Sequence, residues 1–192
     1  MTKLWPKKIN IVAAPDPHAE NGVTFHMEDQ NGDELETLVF NKDQEPGMKK
    51  DEHHEVRFKL IQESGMTLEF AQSPSDALWV AWGTRDTYPA CPQTKPAQKD
   101  TIFYATKSNA NTLTAINTNP TECLFSFSLN FVDPHSSTPT KLIPYDPGGG
   151  NQDGGEPPFI GGDISASTGT VRVIALAVGV LAIAFVAFRL LS

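Results

Sequence analysis

The sequence predicts an all-β protein: an antiparallel β-sandwich, then a Gly/Pro-rich linker, then one C-terminal transmembrane helix. Three observations lead there. Before residue 139 the apolar residues recur with a period of two rather than 3.6. Residues 139–170 are dense in Gly, Pro, Asp and Ser. Residues 171–191, VRVIALAVGVLAIAFVAFRLL, are almost wholly apolar.

The clearest strand is Cys123 to Val132. Cys123, Phe125, Phe127, Leu129 and Phe131 fall on one face, and Ser126, Ser128 and Asn130 on the other. The pattern predicts one face in the core and one in water. Glu55 to Gln62 repeats the design, with Val56, Phe58 and Leu60 opposite Glu55, Arg57 and Lys59. Ala77 to Gly83 (ALWVAWG) is apolar on both faces and reads as a central strand, its tryptophans as core filling. Shorter candidates are Ile9 to Ala13, Val23 to Glu28, Thr37 to Asn41, Thr67 to Phe70, Ile102 to Thr106 and Thr112 to Ile116. Asn31-Gly32, Ser64-Gly65 and Asn109-Ala110-Asn111 supply hairpin-type turns between them. Many short strands and Pro, Gly and Asn turns, in about 135 residues, predict a sandwich of immunoglobulin-like kind. The disulfide-and-tryptophan signature of true immunoglobulin domains is missing, because Trp79 and Trp82 precede both cysteines.

The domain is therefore expected at 1–138 and the linker at 139–170. Such a linker buries too little apolar area to offset its chain entropy and acts as a tether of tens of Å. The helix at 171–191 meets the requirement of about 20 apolar residues for a 30 Å hydrocarbon core. Val173, Ile174, Leu176, Val178, Val180, Leu181, Ile183, Phe185, Val186 and Phe188 are its expected membrane-anchor residues. Arg172 and Arg189 bracket them and snorkel toward the headgroups. Ala175 and Gly179, at a small-xxx-small spacing, are its expected helix-packing positions.

Topology rests on the N-terminus. Lys3, Lys7 and Lys8 resemble a signal's basic region, but the apolar run Ile9 to Ala14 contains Asn10 and ends at Pro15-Asp16-Pro17. Without an export signal the domain stays in the cytosol and the last segment inserts after translation, the tail-anchored arrangement. In layout this is similar to the tail-anchored contact-site proteins whose immunoglobulin-like domain captures peptides. Their binding-loop motif is not present, so no residue role carries over.

A net charge of −8 argues against a nucleic-acid partner, whose phosphates need clustered Lys and Arg. Two cysteines, Cys91 and Cys123, exclude a disulfide-rich scaffold and leave a single bridge open. The one histidine cluster is His53-His54, whose side chains point to opposite faces of a strand. Asp29-Gln30-Asn31-Gly32-Asp33 resembles the start of a calcium loop, but Glu34 and Phe40 stand where glycine and glutamate belong. There is no Gly-x-Ser-x-Gly elbow and no P-loop.

The expectation is thus a non-enzymatic protein with no catalytic residue, cofactor or metal. Its partners are the lipid bilayer and other subunits of a membrane complex, which the domain serves as interaction module or accessory subunit. A strand edge or the Pro-rich loop from Thr84 to Asp100 is the first place to seek partner contacts. The alternative is an exported, C-terminally anchored β-sandwich that binds a ligand or metal.

Overall fold

The computed structural model describes residues 2–98 and 100–152. In chain order the elements are β1 (Leu4–Pro15), β2 (Val23–Glu28), β3 (Glu34–Leu35), β4 (Thr37–Asn41), β5 (His53–Gln62), β6 (Glu69–Phe70) and the single-turn helix α1 (Pro74–Ala77). They continue with β7 (Leu78–Trp82), β8 (Phe103–Asn109), β9 (Thr112–Asn117), β10 (Cys123–Val132), β11 (Ile143–Tyr145) and β12 (Gly148–Gln152). The fold is predominantly β, and its two mixed sheets pack as a sandwich.

One sheet runs β3-β2-β1-β5-β9-β8. The other is organised around β10, with β6 and β7 along one edge and β11 and β12 along the other, β4 lying outside β12. The expectation of an antiparallel sandwich needs correction at two places: β1 pairs with β5 in parallel, and so does β12 with β4. The cause is connectivity. Between β1 and β5 the chain crosses to the opposite sheet to form β4, so it re-enters beside β1 in the same direction.

Alternation places the core. Ile9, Ile11 and Ala13 of β1, Val56, Phe58 and Leu60 of β5, and Leu113 and Ala115 of β9 point inward from one sheet. Leu38, Phe40, Phe125, Phe127, Leu129 and Phe131 meet them from the other. Phe125 sits at the centre, its ring 5.2 Å from Trp82, 5.4 Å from Phe103, 5.9 Å from Phe127 and 6.1 Å from Phe40. Each phenylalanine buried in this way contributes about 2–3 kcal/mol of transfer free energy.

Strand β1 is longer than the run Ile9 to Ala13 expected, and it contains Pro6. Strand β2 pairs only with Asn10 to Pro15, so among the described residues the first half of β1 has a strand neighbour on one side alone. That edge position tolerates a residue without an N–H. Of the three turns, Asn31-Gly32 and Asn109-Ala110-Asn111 close hairpins β2–β3 and β8–β9. Ser64-Gly65 instead sends the chain from β5 to β6, which belongs to the other sheet.

Three further expectations are corrected. Ser126, Ser128 and Asn130 do not face water; all three are buried. Segments on both sides of β7 supply partners: Ser126 Oγ donates to the Pro89 carbonyl at 2.7 Å, Asn130 Nδ2 to the Asp76 carbonyl of α1 at 2.8 Å, and Ser128 Oγ lies 3.1 Å from Asn130 Oδ1. Strand β7 is an edge strand rather than a central one, pairing only with β10 among the described residues. Its second apolar face is covered by α1 and the following loop instead of by another strand.

The domain boundary at 138 also moves. Residues 143–152, assigned to the linker from composition, form β11 and β12, and β12 fills the space between β10 and β4. Glycine is required there by close approach rather than flexibility: a Cβ on Gly149 would lie 2.5 Å from the Phe125 ring and 2.8 Å from the Leu38 carbonyl oxygen. The rest of the expected linker and the expected membrane helix at 171–191 lie outside the described residues. Among the described residues no helix is long and apolar enough to cross a membrane.

Candidate functional site

Where the outer edges of β7 and β8 face each other, the two sheets are tied at two points and part between them. At one tie, Asp100 acts on both strands. Its Oδ1 accepts the amides of Ile102 at 2.7 Å and Phe103 at 2.9 Å, while its Oδ2 accepts the indole N–H of Trp82. At the other, Ser108 Oγ donates to the Ala71 carbonyl at 2.7 Å and the Phe70 amide to the Ala110 carbonyl at 2.9 Å. Between these ties lies a cleft of about 620 Å³.

Leu78, Val80, Phe103 and Ala105 give the cleft its apolar depth, and Trp79 and Tyr104 stand along it. Among the described residues the rim carries one ion pair, Lys95 Nζ to Asp76 Oδ1 at 2.5 Å, with Ser75 Oγ 3.0 Å from the same ammonium. Pro96, Ala97 and Gln98 complete the lining. Thus the Thr84 to Asp100 loop, singled out from sequence, contributes its second half to the cleft.

Its first half is fastened elsewhere. Besides the Pro89 contact with Ser126, Cys91 Sγ lies 3.6 Å from the Asp146 carbonyl and Gln93 Nε2 donates to Asp146 Oδ2 at 3.3 Å. Gly83 permits the tight start, since a Cβ there would lie 2.0 Å from the Thr87 carbonyl oxygen. Burial, with the carboxylate of Asp146 nearby, pushes the Cys91 thiol up to about 11, and burial raises Cys123 as well. Both are free thiols, protonated at neutral pH.

A second polar group closes one end of the sandwich. His54 is 2% exposed, and its Nδ1 has no hydrogen-bond partner. It stands between Trp5 of β1 and Asn117 of β9 in the sheet, with the Phe40 ring 5.2 Å away. Asn117 Nδ2 donates to Asn151 Oδ1 at 2.9 Å, and Asn117 Oδ1 accepts the Asn119 amide at 2.7 Å. Asn119 adopts a φ of 41°, a left-handed conformation that asparagine tolerates. Burial, followed by the positive charges of Lys7, Lys42 and His53, holds His54 down at about 4. Sequence signalled the His53-His54 pair; the asparagines, scattered over 34 residues, gave no local motif.

The sequence-predicted anchor residues (Val173, Ile174, Leu176, Val178, Val180, Leu181, Ile183, Phe185, Val186 and Phe188) and the packing pair Ala175 and Gly179 lie outside the described residues. No protein-family model matches the chain, and no curated protein matches it in sequence.

The cleft depends on Asp100. Replacing it with alanine leaves three donors without their acceptor, so Asp100→Ala is expected to lower the unfolding free energy by about 2 kcal/mol. It should also quench or shift Trp82 emission. Chemical denaturation followed by tryptophan fluorescence checks both, with Asp100→Asn, which retains acceptor capacity, falling between.

Proposed function

We propose that this chain is a non-enzymatic, tail-anchored membrane protein whose immunoglobulin-like β-sandwich serves in the cytosol as an interaction module or accessory subunit of a membrane complex. The observation that carries the reading is the cleft between β7 and β8, where two strand edges that pair with no further strand among the described residues face each other behind an exposed rim that includes Lys95, Pro96, Ala97 and Thr106. Sheet edges are the usual places for a sheet to engage another polypeptide. The apolar segment at 171–191 supports the membrane placement. Free thiols at Cys91 and Cys123 suit a reducing compartment.

The test uses the intact chain in mild detergent beside its Thr106→Arg variant. Thr106 is exposed on the cleft's lip, so arginine obstructs the opening while leaving stability within about 0.5 kcal/mol. A defined set of membrane proteins is expected to co-purify with the native chain and be lost from the variant. An identical set with both removes the cleft from the function. Extraction of the chain from vesicles by carbonate, or digestion of the domain by protease outside intact cells, removes the tail-anchored placement.

A further inference from the structure

We propose that the outer face of the β1-β5-β9-β8 sheet rests on anionic lipid headgroups, held there by a row of cations that crosses all four strands. The inference rests on the reading of residues 171–191 as a membrane anchor and names the face that the anchored domain turns toward lipid.

Register supplies the first argument. Ile9, Val56, Phe58, Leu113 and Ala115 point into the core, so their neighbours along each strand point outward. Lys8 of β1 lies opposite Arg57 of β5, Arg57 opposite Thr114 of β9, and Thr114 opposite Lys107 of β8. These four form one continuous cross-strand row, about 14 Å long at about 4.8 Å per strand. The adjoining row is Asn10, Lys59, Thr112 and Asn109. Together the two rows hold four cations and no carboxylate, and Lys8, Arg57, Lys59 and Lys107 are all exposed.

The cations are also short of partners. Among the described residues Lys8, Lys59 and Lys107 form no ion pair, and only Arg57 is engaged, by Glu55 at 2.7 Å. Like charges directly opposite each other repel, so Lys8 beside Arg57 costs the fold some stability. Anions laid over the row remove that repulsion. The chain carries a net −8, so these side chains are segregated from an otherwise acidic surface. On the same face the flanking carboxylates are Glu55 in the next row and Glu28 and Glu34 on β2 and β3, with Glu28 3.2 Å from His26. Acidic groups on the far sheet stand about 10 Å behind, beyond a Debye length of about 8 Å at physiological ionic strength. Lipid beneath the row therefore meets chiefly its cations.

The shape of the patch selects the occupant. A single-stranded nucleic acid on a sheet is held by bases stacked on aromatic side chains, and neither row contains one. Cations spread in a row over four strands match a plane of many headgroups better than one compact anion. The tether expected between the domain and residue 171 reaches only tens of Å, so an anchored domain meets the headgroups at high effective concentration. A few weak charge contacts are then sufficient to orient it.

The experiment places the full-length chain in lipid nanodiscs of phosphatidylcholine, alone or with about 30 % phosphatidylserine. A dye carried on a non-natural side chain at position 112 transfers energy to a headgroup-labelled lipid. A second preparation carries the dye at position 87, in the loop over the other sheet. Phosphatidylserine is expected to raise transfer from position 112 at least about twofold and not to raise it from position 87. The variant combining Lys8→Gln, Lys59→Gln and Lys107→Gln, all at exposed positions, is expected to lose the rise, as is the native chain in about 0.5 M salt. Equal transfer in the two lipids, a rise that the triple variant keeps, or a rise at position 87 in place of 112 overturns the proposal. So does a glutamate-rich peptide that abolishes the rise by occupying the native rows more tightly than lipid does, which assigns them to an acidic polypeptide. Chains that never enter the discs sink the anchor and the docking together, whereas chains that enter and show equal transfer sink the docking alone.

Discussion

Gly149→Ala is expected to lower the unfolding free energy by about 3 kcal/mol, whereas Gly150→Ala one residue on is expected to leave it within about 1 kcal/mol. The contrast follows from what each new methyl group meets. At Gly149 it falls 2.5 Å from two carbons of Phe125 and 2.8 Å from the Leu38 carbonyl oxygen. Phe125 cannot swing aside, because Trp82, Phe103, Phe127 and Phe40 surround its ring. The Leu38 oxygen belongs to the backbone of β4, so relief means displacing a strand that pairs directly with β12. At Gly150 the nearest atom, at 3.3 Å, is a terminal methyl of Leu124, which can rotate. Alanine there also reduces the freedom of the unfolded chain, which offsets the small crowding. Paired urea titrations decide the matter. Equal midpoints for the two variants would show that residues 148–152 do not pack as a strand.

The same glycines show where the sequence was legible and where it was not. Strands announced by alternation came through: β2, β4 and β10 have the predicted ends, the inward set of β5 is the predicted one, and that of β10 is the predicted one but for Cys123, which is only half-buried. Alternation reports side chains, so it is silent where there are none. Gly148 to Gly150 carried no hydrophobic signal, and their composition read as tether although they lie between β10 and β4. Polar residues misled in the opposite direction. Ser126, Ser128 and Asn130 marked a wet face by pattern, but all three are buried, and Ser126 and Asn130 bond to partners 37 and 54 residues away in sequence. Local patterning cannot encode that cover. Parallel pairing was invisible for a related reason: β1 and β5 become neighbours only because β4 diverts to the second sheet. The cleft was half legible, through the composition of the Thr84 to Asp100 loop. Its other wall, β8, reads from sequence as an ordinary strand, and only the sheet order makes it an edge.

Acidification from pH 7 to pH 4 is expected to cost the native chain about 3 kcal/mol of stability through His54, and a His54→Phe variant is expected to lose that component. His54 drops from an ordinary value of 6.5 to about 4 in the folded protein, first through burial and then through Lys7 on β1, Lys42 after β4 and adjacent His53. Between those values the unfolded chain binds a proton that the folded chain does not. Stability is therefore fully present above 6.5 and declines as pH falls toward 4, by at most about 1.4 kcal/mol per unit. Depressed carboxylates change stability in the same direction, but lower on the scale. Backbone amides hold Asp29 below its usual 3.8 and Glu52 below 4.5, so their contributions fade as pH falls through still lower values. Phenylalanine preserves the ring against Phe40 and removes the titrating nitrogens. Lys7 is itself half-buried and depressed by burial, with Glu45 opposing. Lys7→Gln removes the largest of the neighbouring charges and should move the His54 midpoint upward, readable from its imidazole resonances by NMR. Denaturation at a series of pH values then separates the causes. If native and His54→Phe chains show the same slope between pH 6.5 and pH 4.5, the buried imidazole does not carry the acid sensitivity, and the polar end of the sandwich admits the proton without cost.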